Sequence, residues 1–576
     1  MKKLMIGNEA VARGLYEAGC SVISSYPGTP STEITEFAAG YDDMYCEWAP
    51  NEKVSLEVAF GAALQGKRSA CAMKHVGLNV AADPLFTMSY TGVNGGLVIC
   101  VADDPGMHSS QNEQDSRHYA IAAKVPMLEP ADSAESLEYA KKAFEISEKY
   151  DTVVLLRMVM RIAHTQSLVE LSERQNGLDK PYEKTPSKYI MMPGYAKKRH
   201  PIVEERTKAL TELAETCELN REEYADSEIG IITSGTSYQY VKEIFGDSVN
   251  VLKLGMVNPL PVRRIKDFAN NVKKLYVIEE LDGIIETHCK NIGVNVDHGK
   301  DIFSPIGEYS QDRIAAALEL DKKPHPTVDA DIPVRPPVMC AGCPHRGIFY
   351  ALTKNKITVI GDIGCYTLGA QQPLNAVDSV LCMGASASGV HGFNKAGGET
   401  TENKTVAVIG DSTFMHSGVT GLINIAYNAT NSTVIILDNS ITGMTGHQQN
   451  PTTGYNIKGD PAAKIDLEAL CRAVGINRVR VVDPYDIKAC EAVIKEELAT
   501  KEPSVIISRR PCMLLKYVKS APAMIVSNDK CRGCKSCMKI GCPAISFKNK
   551  KAVIDPTLCV GCAVCTQLCA FDAIER

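Results

Sequence analysis

The last 46 residues hold eight of the chain's 21 cysteines, and no other feature limits the fold as tightly. They form two runs, Cys531-x2-Cys534-x2-Cys537-x4-Cys542-Pro543 and Cys559-x2-Cys562-x2-Cys565-x3-Cys569. The start, Met1-Lys2-Lys3-Leu4-Met5-Ile6-Gly7-Asn8-Glu9, turns polar too soon for a secretory signal. No apolar run reaches the ~20 residues of a membrane span, so a cytoplasmic location is expected. Cytosolic thiols stay reduced, which argues against disulfides and for metal binding. The net charge of −6 gives no reason to expect nucleic acid or an anionic membrane as partner.

The spacing is close to the bacterial ferredoxin run C-x2-C-x2-C-x3-C-P, in which the fourth Cys ligates the other cluster. Three thiolates two residues apart can wrap one face of a cubane; a distant fourth closes its neighbour. The crossed pattern assigns Cys531, Cys534, Cys537 and Cys569 to one [4Fe–4S] cluster and Cys542, Cys559, Cys562 and Cys565 to the other. Two departures stand out: x4 before Cys542, and Ala570 where Pro is usual. Zinc is the alternative, but zinc sites use ligands in two pairs, often with His, and this tail has no His. Clusters move electrons and do no organic chemistry, so another part of the chain must generate the electrons.

The remainder alternates apolar runs with helical patterns, which predicts α/β domains on parallel sheets. Strands are expected at Ser21–Tyr26, Leu97–Val101 and Val153–Leu156, with an amphipathic helix over 133–149. The domains expected are 1–165, a charge-rich linker with helical pieces over 166–227, a second α/β unit over 228–320, a Pro-rich linker over 321–337, a third α/β unit over 338–520 and the cysteine tail from 521 to 576.

In the third unit, Gly410-Asp411-Ser412 follows one apolar run, and Asn439 ends the next, 28 residues after Asp411. A Gly-Asp at one strand end and an Asn at the next match the thiamine-diphosphate fingerprint. Mg²⁺ asks for octahedral oxygens from carboxylate, amide, backbone carbonyl and phosphate. Asp411 and Asn439 are the expected metal contacts, Ile441 would offer its carbonyl, and Gly410 and Ser412 would let the backbone approach the diphosphate. Ser412 stands where a third Gly is usual, and Asp438 where Asn is. The cofactor also needs a Glu against its aminopyrimidine ring. Glu52 opens a small-residue helix with Gly61 nine positions on; Glu57 is the rival and lacks that spacing.

Tyr26-Pro27-Gly28-Thr29-Pro30-Ser31 resembles the substrate turn of pyruvate:ferredoxin oxidoreductases. Cys340-Ala341-Gly342-Cys343-Pro344-His345-Arg346, Gly361-Asp362-Ile363-Gly364-Cys365 and Asn439-x3-Gly443-Met444-Thr445-Gly446-x-Gln448 are similar to motifs of the same family. The order of parts, the x4 variant and Met73-Lys74-His75-Val76-Gly77-Leu78-Asn79 resemble the large subunit of indolepyruvate:ferredoxin oxidoreductases. That resemblance covers nearly the whole chain. It implies a thiamine-diphosphate, Mg²⁺ and two-cluster enzyme that oxidatively decarboxylates aryl pyruvates to aryl-acetyl-CoA. It also implies a contact of Thr29 with the substrate's carboxyl end, a smaller beta subunit in a hetero-oligomer, coenzyme A, and ferredoxin as acceptor. The alternatives are the same reaction on pyruvate or branched-chain 2-oxoacids, or an electron-transfer subunit without thiamine. Pyruvate-type relatives hold a further cluster with cysteines placed like Cys340, Cys343, Cys365 and, late in the domain, Cys512; the indolepyruvate-type resemblance implies only the two tail clusters.

Overall fold

The computed structural model describes residues 1–177, 180–321 and 329–576. Pro324 and Pro326 of the expected Pro-rich linker lie outside them. The chain divides into two compact units, Met1–Asp329 and Ala330–Arg576.

In the N-terminal unit six strands run parallel: Val22–Ser25, Tyr45–Trp48, Ser69–Lys74, Leu97–Asp103, Met127–Leu128 and Val154–Val159. Across the sheet they stand second, first, third, fourth, sixth, fifth; Met256–Asn258 adds an antiparallel edge beside the fifth. Leu97–Asp103 is buried throughout, as a strand covered on both faces should be. The helix expected over 133–149 is Ser133–Tyr150, opened by the Asp132 side chain accepting from the Glu135 amide.

The span expected as a linker is more ordered than its composition suggests. Gln166–Glu170 pairs antiparallel with Lys2–Ile6, and Pro193–Thr216 is a 24-residue helix. That helix is fixed by two buried arginines in addition to a thin apolar stripe. Arg199 Nε donates to the Tyr90 carbonyl at 2.7 Å, and Arg206 Nη1 to the Asp151 carbonyl at 2.8 Å. Beyond it, Ile229–Ser234, Asn250–Leu254 and Lys274–Ile278 form a small parallel sheet with Arg221–Glu223 antiparallel at one edge.

Buried charge ties this small sheet to the large one. The Arg117 guanidinium reaches Asp115 and Glu279 at 2.6 Å each and the carbonyls of Glu280 and Asp282 at 2.9 Å. Arg157 pairs with Asp103 at 2.7 Å and Glu129 at 2.8 Å. Burial alone would raise the Asp115 pKa; the two guanidiniums outweigh it and hold the carboxyl well below its usual range. Replacing one partner of such a cluster strands its opposite charges in a dry interior. Arg117→Met is therefore expected to destabilise the N-terminal unit by about 3–5 kcal/mol, read as a lower denaturant midpoint; an unchanged midpoint would contradict the network's role.

The C-terminal unit repeats the strand order. Thr358–Gly361, Ser379–Val380, Thr405–Gly410, Thr433–Asp438, Arg478–Val482 and Ser504–Arg509 are all parallel and stand second, first, third, fourth, sixth, fifth. The tail has two short antiparallel pairs, Ile525–Val526 with Ile574–Glu575 and Ile545–Lys548 with Lys551–Ile554. Two 3-10 turns, Ser536–Ile540 and Val564–Leu568, carry the third cysteine of each run, Cys537 and Cys565. Among the described residues no helix is long and apolar enough to cross a membrane.

Candidate active site and cluster-binding residues

In both sheets the first and third strands are neighbours, and a parallel sheet binds ligands beyond the carboxyl ends of its strands where the order reverses. In the C-terminal unit those ends carry Asp362 and Asp411. Asp362 is buried and accepts from the amides of Ile363, Gly384 and Ser386 at 2.8–2.9 Å, which fixes the turn into the following helix.

Asp411 is also buried. Its carboxylate accepts from the Ser412 amide at 2.8 Å and from Thr452 Oγ1 at 3.1 Å. The Asn439 side-chain oxygen lies 3.2 Å from Asp411 Oδ1 and 2.8 Å from the Ile441 carbonyl oxygen. An amide's oxygen and nitrogen are told apart only by their partners. Turned end for end, the Asn439 amide would donate to both; with a cation among them, the oxygen must face inward. Octahedral Mg²⁺ at 2.0–2.1 Å from each ligand sets adjacent oxygens about 2.9 Å apart, close to the spacing found. Burial, with Asp438 nearby, pushes the Asp411 carboxyl up to about 7; a cation would reverse that. Carboxylate, amide and carbonyl thus fit Mg²⁺. Asp438 is turned aside, paired with Arg509 at 2.8 Å. The Thr442 hydroxyl donates to Ser412 Oγ at 2.9 Å, joining the two loops. Thr452 and Asn450 were not anticipated. They come from a third loop with no motif of its own, and Asn450 Oδ1 accepts from the Thr452 hydroxyl at 2.7 Å.

In the N-terminal unit Glu52 is buried and begins the helix Glu52–Leu64, capped by Asn51, whose side chain accepts from the Val54 amide at 2.9 Å. It lies against Gly77: a Cβ there would stand 2.6 Å from Glu52 Oε1. Gly61 is exposed, with nothing within 4 Å of where its Cβ would be. The rival Glu57 is on the surface, paired with Lys53. Thr29 is half-buried on the turn after the first strand, and its carbonyl accepts from Ser109 Oγ at 3.4 Å.

The tail cysteines sort into two cavities. Cys531, Cys534, Cys537 and Cys569 line one; Cys542, Cys559, Cys562 and Cys565 line the other. These are the two crossed sets. Among the described residues no three His, Cys, Asp or Glu side chains close on a single metal ion, but a four-iron cluster holds its thiolates farther apart than one ion does. Gly342, Cys343 and Arg346 share the wall of the second cavity, and Arg346 donates to the carbonyls of Ile540 and Gly541 at 3.1 and 2.6 Å. Cys365 has Cys512 and Cys340 as electrostatic neighbours, Cys343 has Cys340 and Cys365, and Cys512 has Cys340. The Cys512 amide donates to the Asn439 carbonyl at 2.9 Å, so Cys512 borders the Asn439 loop.

Residues 13–228 match the family described as "Pyruvate flavodoxin/ferredoxin oxidoreductase, thiamine diP-bdg", and 362–508 match "Thiamine pyrophosphate enzyme, C-terminal TPP binding domain". These are the domains of a thiamine-diphosphate-dependent oxidoreductase of 2-oxoacids. The chain is 40% identical to the indolepyruvate oxidoreductase subunit IorA of Archaeoglobus fulgidus, over 100% of this chain and 97% of that one. It is also 40% identical to the subunit of the same name from Methanothermobacter thermautotrophicus, again over 100% and 97%. The chain belongs to the indolepyruvate oxidoreductase subunit IorA family. A solved 2-oxoglutarate:ferredoxin oxidoreductase from Magnetococcus marinus is similar at a TM-score of 0.47 and 17% identity, over 55% of this chain and 65% of that one, too distant to bear on the site.

Asp411→Ala is expected to weaken Mg²⁺ and thiamine diphosphate together, by more than the roughly 10–100-fold that losing an outer-shell partner costs. Calorimetry showing unchanged cofactor affinity would contradict the cation role of the three oxygens.

Proposed function

We propose that this chain is the catalytic large subunit of an indolepyruvate:ferredoxin oxidoreductase. A 2-oxoacid, coenzyme A and two oxidised ferredoxins give the acyl-CoA thioester, CO₂, two reduced ferredoxins and a proton. The observation that carries this reading is the meeting of Asp411, Asn439 and the Ile441 carbonyl at the strand ends of a sheet whose own unit also ends in two four-cysteine cavities. Thiamine diphosphate, when bound, would supply the carbanion chemistry that 2-oxoacid decarboxylation needs. Asp411, Asn439 and Ile441 would hold its Mg²⁺, Gly410 and Ser412 would lie along its diphosphate, and Glu52 would hold and move the proton at its aminopyrimidine ring.

The tail is read as a ferredoxin-like module with two [4Fe–4S] clusters, one in each cavity, passing electrons to an external ferredoxin. Cys340, Cys343, Cys365 and Cys512 stand in the places of a further cluster's ligands, but Cys343 also walls the second tail cavity, and the reading keeps to the two tail clusters. The family name, a subunit, supports a smaller beta partner, and a preference for aryl side chains follows the relatives' names. The whole reading suits a cytoplasmic, oxygen-sensitive enzyme.

Three outcomes test it in anaerobically purified protein with its partner. Glu52→Gln should retain fold and iron while 2-oxoacid oxidation falls by roughly 10²–10⁴-fold; wild-type turnover would remove Glu52 from the proton path. Iron should approach about eight per chain, by the arithmetic of two four-iron clusters; a value near twelve on fully loaded protein would add a third at Cys340, Cys343, Cys365 and Cys512. The kcat/KM for indolepyruvate should exceed that for pyruvate, because a buried ring gains transfer energy. Equal values would turn the substrate class toward pyruvate.

A further inference from the structure

Lys74 ends the third strand, Ser69–Lys74, directly beside the first strand. Its stem lies over Gly28, where an added Cβ would stand 3.2 Å from Lys74 Cγ. Its ammonium donates to the Ser109 carbonyl at 3.1 Å, and Ser109 Oγ donates to the Thr29 carbonyl at 3.4 Å. Lys74 is therefore folded over the Thr29 turn on the edge that also bears Glu52.

The other cations of this edge are committed. Arg117 and Arg157 are spent in the buried network, and Arg161 is paired with Glu308. His75 is buried, and burial lowers its pKa, so it is neutral at pH 7. Lys74 forms no ion pair among the described residues. Asp104 and Glu52 are its charged neighbours, and Asp104 already accepts from the amides of His108 and Ser109 and the hydroxyl of Ser110 at 2.7–3.2 Å. An ammonium has three donors, and one is used. Burial lowers the Lys74 pKa while the two acids oppose it.

We propose that Lys74 receives the carboxylate of the incoming 2-oxoacid over the Thr29 turn and so selects 2-oxoacids from neutral carbonyl compounds. This rests on the reading above, in which Glu52 marks the reacting end of the cofactor. The choice of Lys suits a group that must leave. Its ammonium is a single point charge, whereas an Arg fork would grip the carboxylate at both oxygens. A grip that tight would stabilise the substrate against loss of CO₂. Lys74 thus governs substrate binding more than the chemical step.

The test uses the enzyme with its partner subunit, thiamine diphosphate, Mg²⁺, coenzyme A and methyl viologen as acceptor. In Lys74→Met the KM for phenylpyruvate and the inhibition constant of 3-phenylpropionate, an acid that cannot be decarboxylated, should rise together by roughly 30-fold, or ~2 kcal/mol. The kcat and the thiamine diphosphate affinity should stay near wild type, and Lys74→Arg should recover most of the inhibitor affinity. Unchanged KM and inhibition constant in Lys74→Met would overturn the proposal. So would a parallel loss of cofactor affinity and kcat in both variants, which would make Lys74 a structural residue. Wild-type protein that binds no thiamine diphosphate would instead defeat the functional reading beneath it.

Discussion

A parallel sheet in which the first and third strands are neighbours sends their connections to opposite faces, and a crevice opens at their carboxyl ends. Both units are built on that order, and both place their candidate site residues there. In the C-terminal unit Asp362 spends its charge on three backbone amides and fixes the turn at the crevice. That leaves Asp411, on the adjacent strand end, to face Asn439 and the Ile441 carbonyl. In the N-terminal unit the same position is occupied by the Thr29 turn and Lys74.

The two crevices solve different electrostatic problems. Gathering oxygens in a dry site is unfavourable without a cation, which is why burial raises the Asp411 carboxyl to about 7. Glu52 instead lies against a backbone left bare by Gly77, with its helix start satisfied by Asn51. An acid held in that way can exchange a proton with a flat ring laid beside it. The buried pairs around Arg117 and Arg157 hold the scaffold behind this edge, and their carboxylates are already matched to cations.

The candidate site residues were more legible in the sequence than the scaffold. The cysteine spacing marks the two sets that line the two tail cavities, because spacing along a short segment limits which thiols can meet. Asp411 and Asn439 were visible because each follows a buried strand rich in Val and Ile. Ser379–Val380 escaped because two exposed residues leave no pattern, and Arg478–Val482 because its Arg and Val alternate. The Pro193–Thr216 helix read as linker because buried arginines hold it in place of a broad apolar face. Thr452, Asn450 and the wall that Cys343 adds to the second cysteine cavity depend on loops distant in sequence, and no local signal announces them.

In the proposed function, electrons released from a 2-oxoacid pass within this chain to iron–sulfur clusters held by the tail cysteines. Electron paramagnetic resonance of the oxidised, thiamine-loaded enzyme, mixed anaerobically with indolepyruvate before any external acceptor is added, tests it directly. Signals of reduced [4Fe–4S] clusters that require both the 2-oxoacid and thiamine diphosphate are expected. Fully loaded clusters that stay oxidised after the acid is consumed would contradict it.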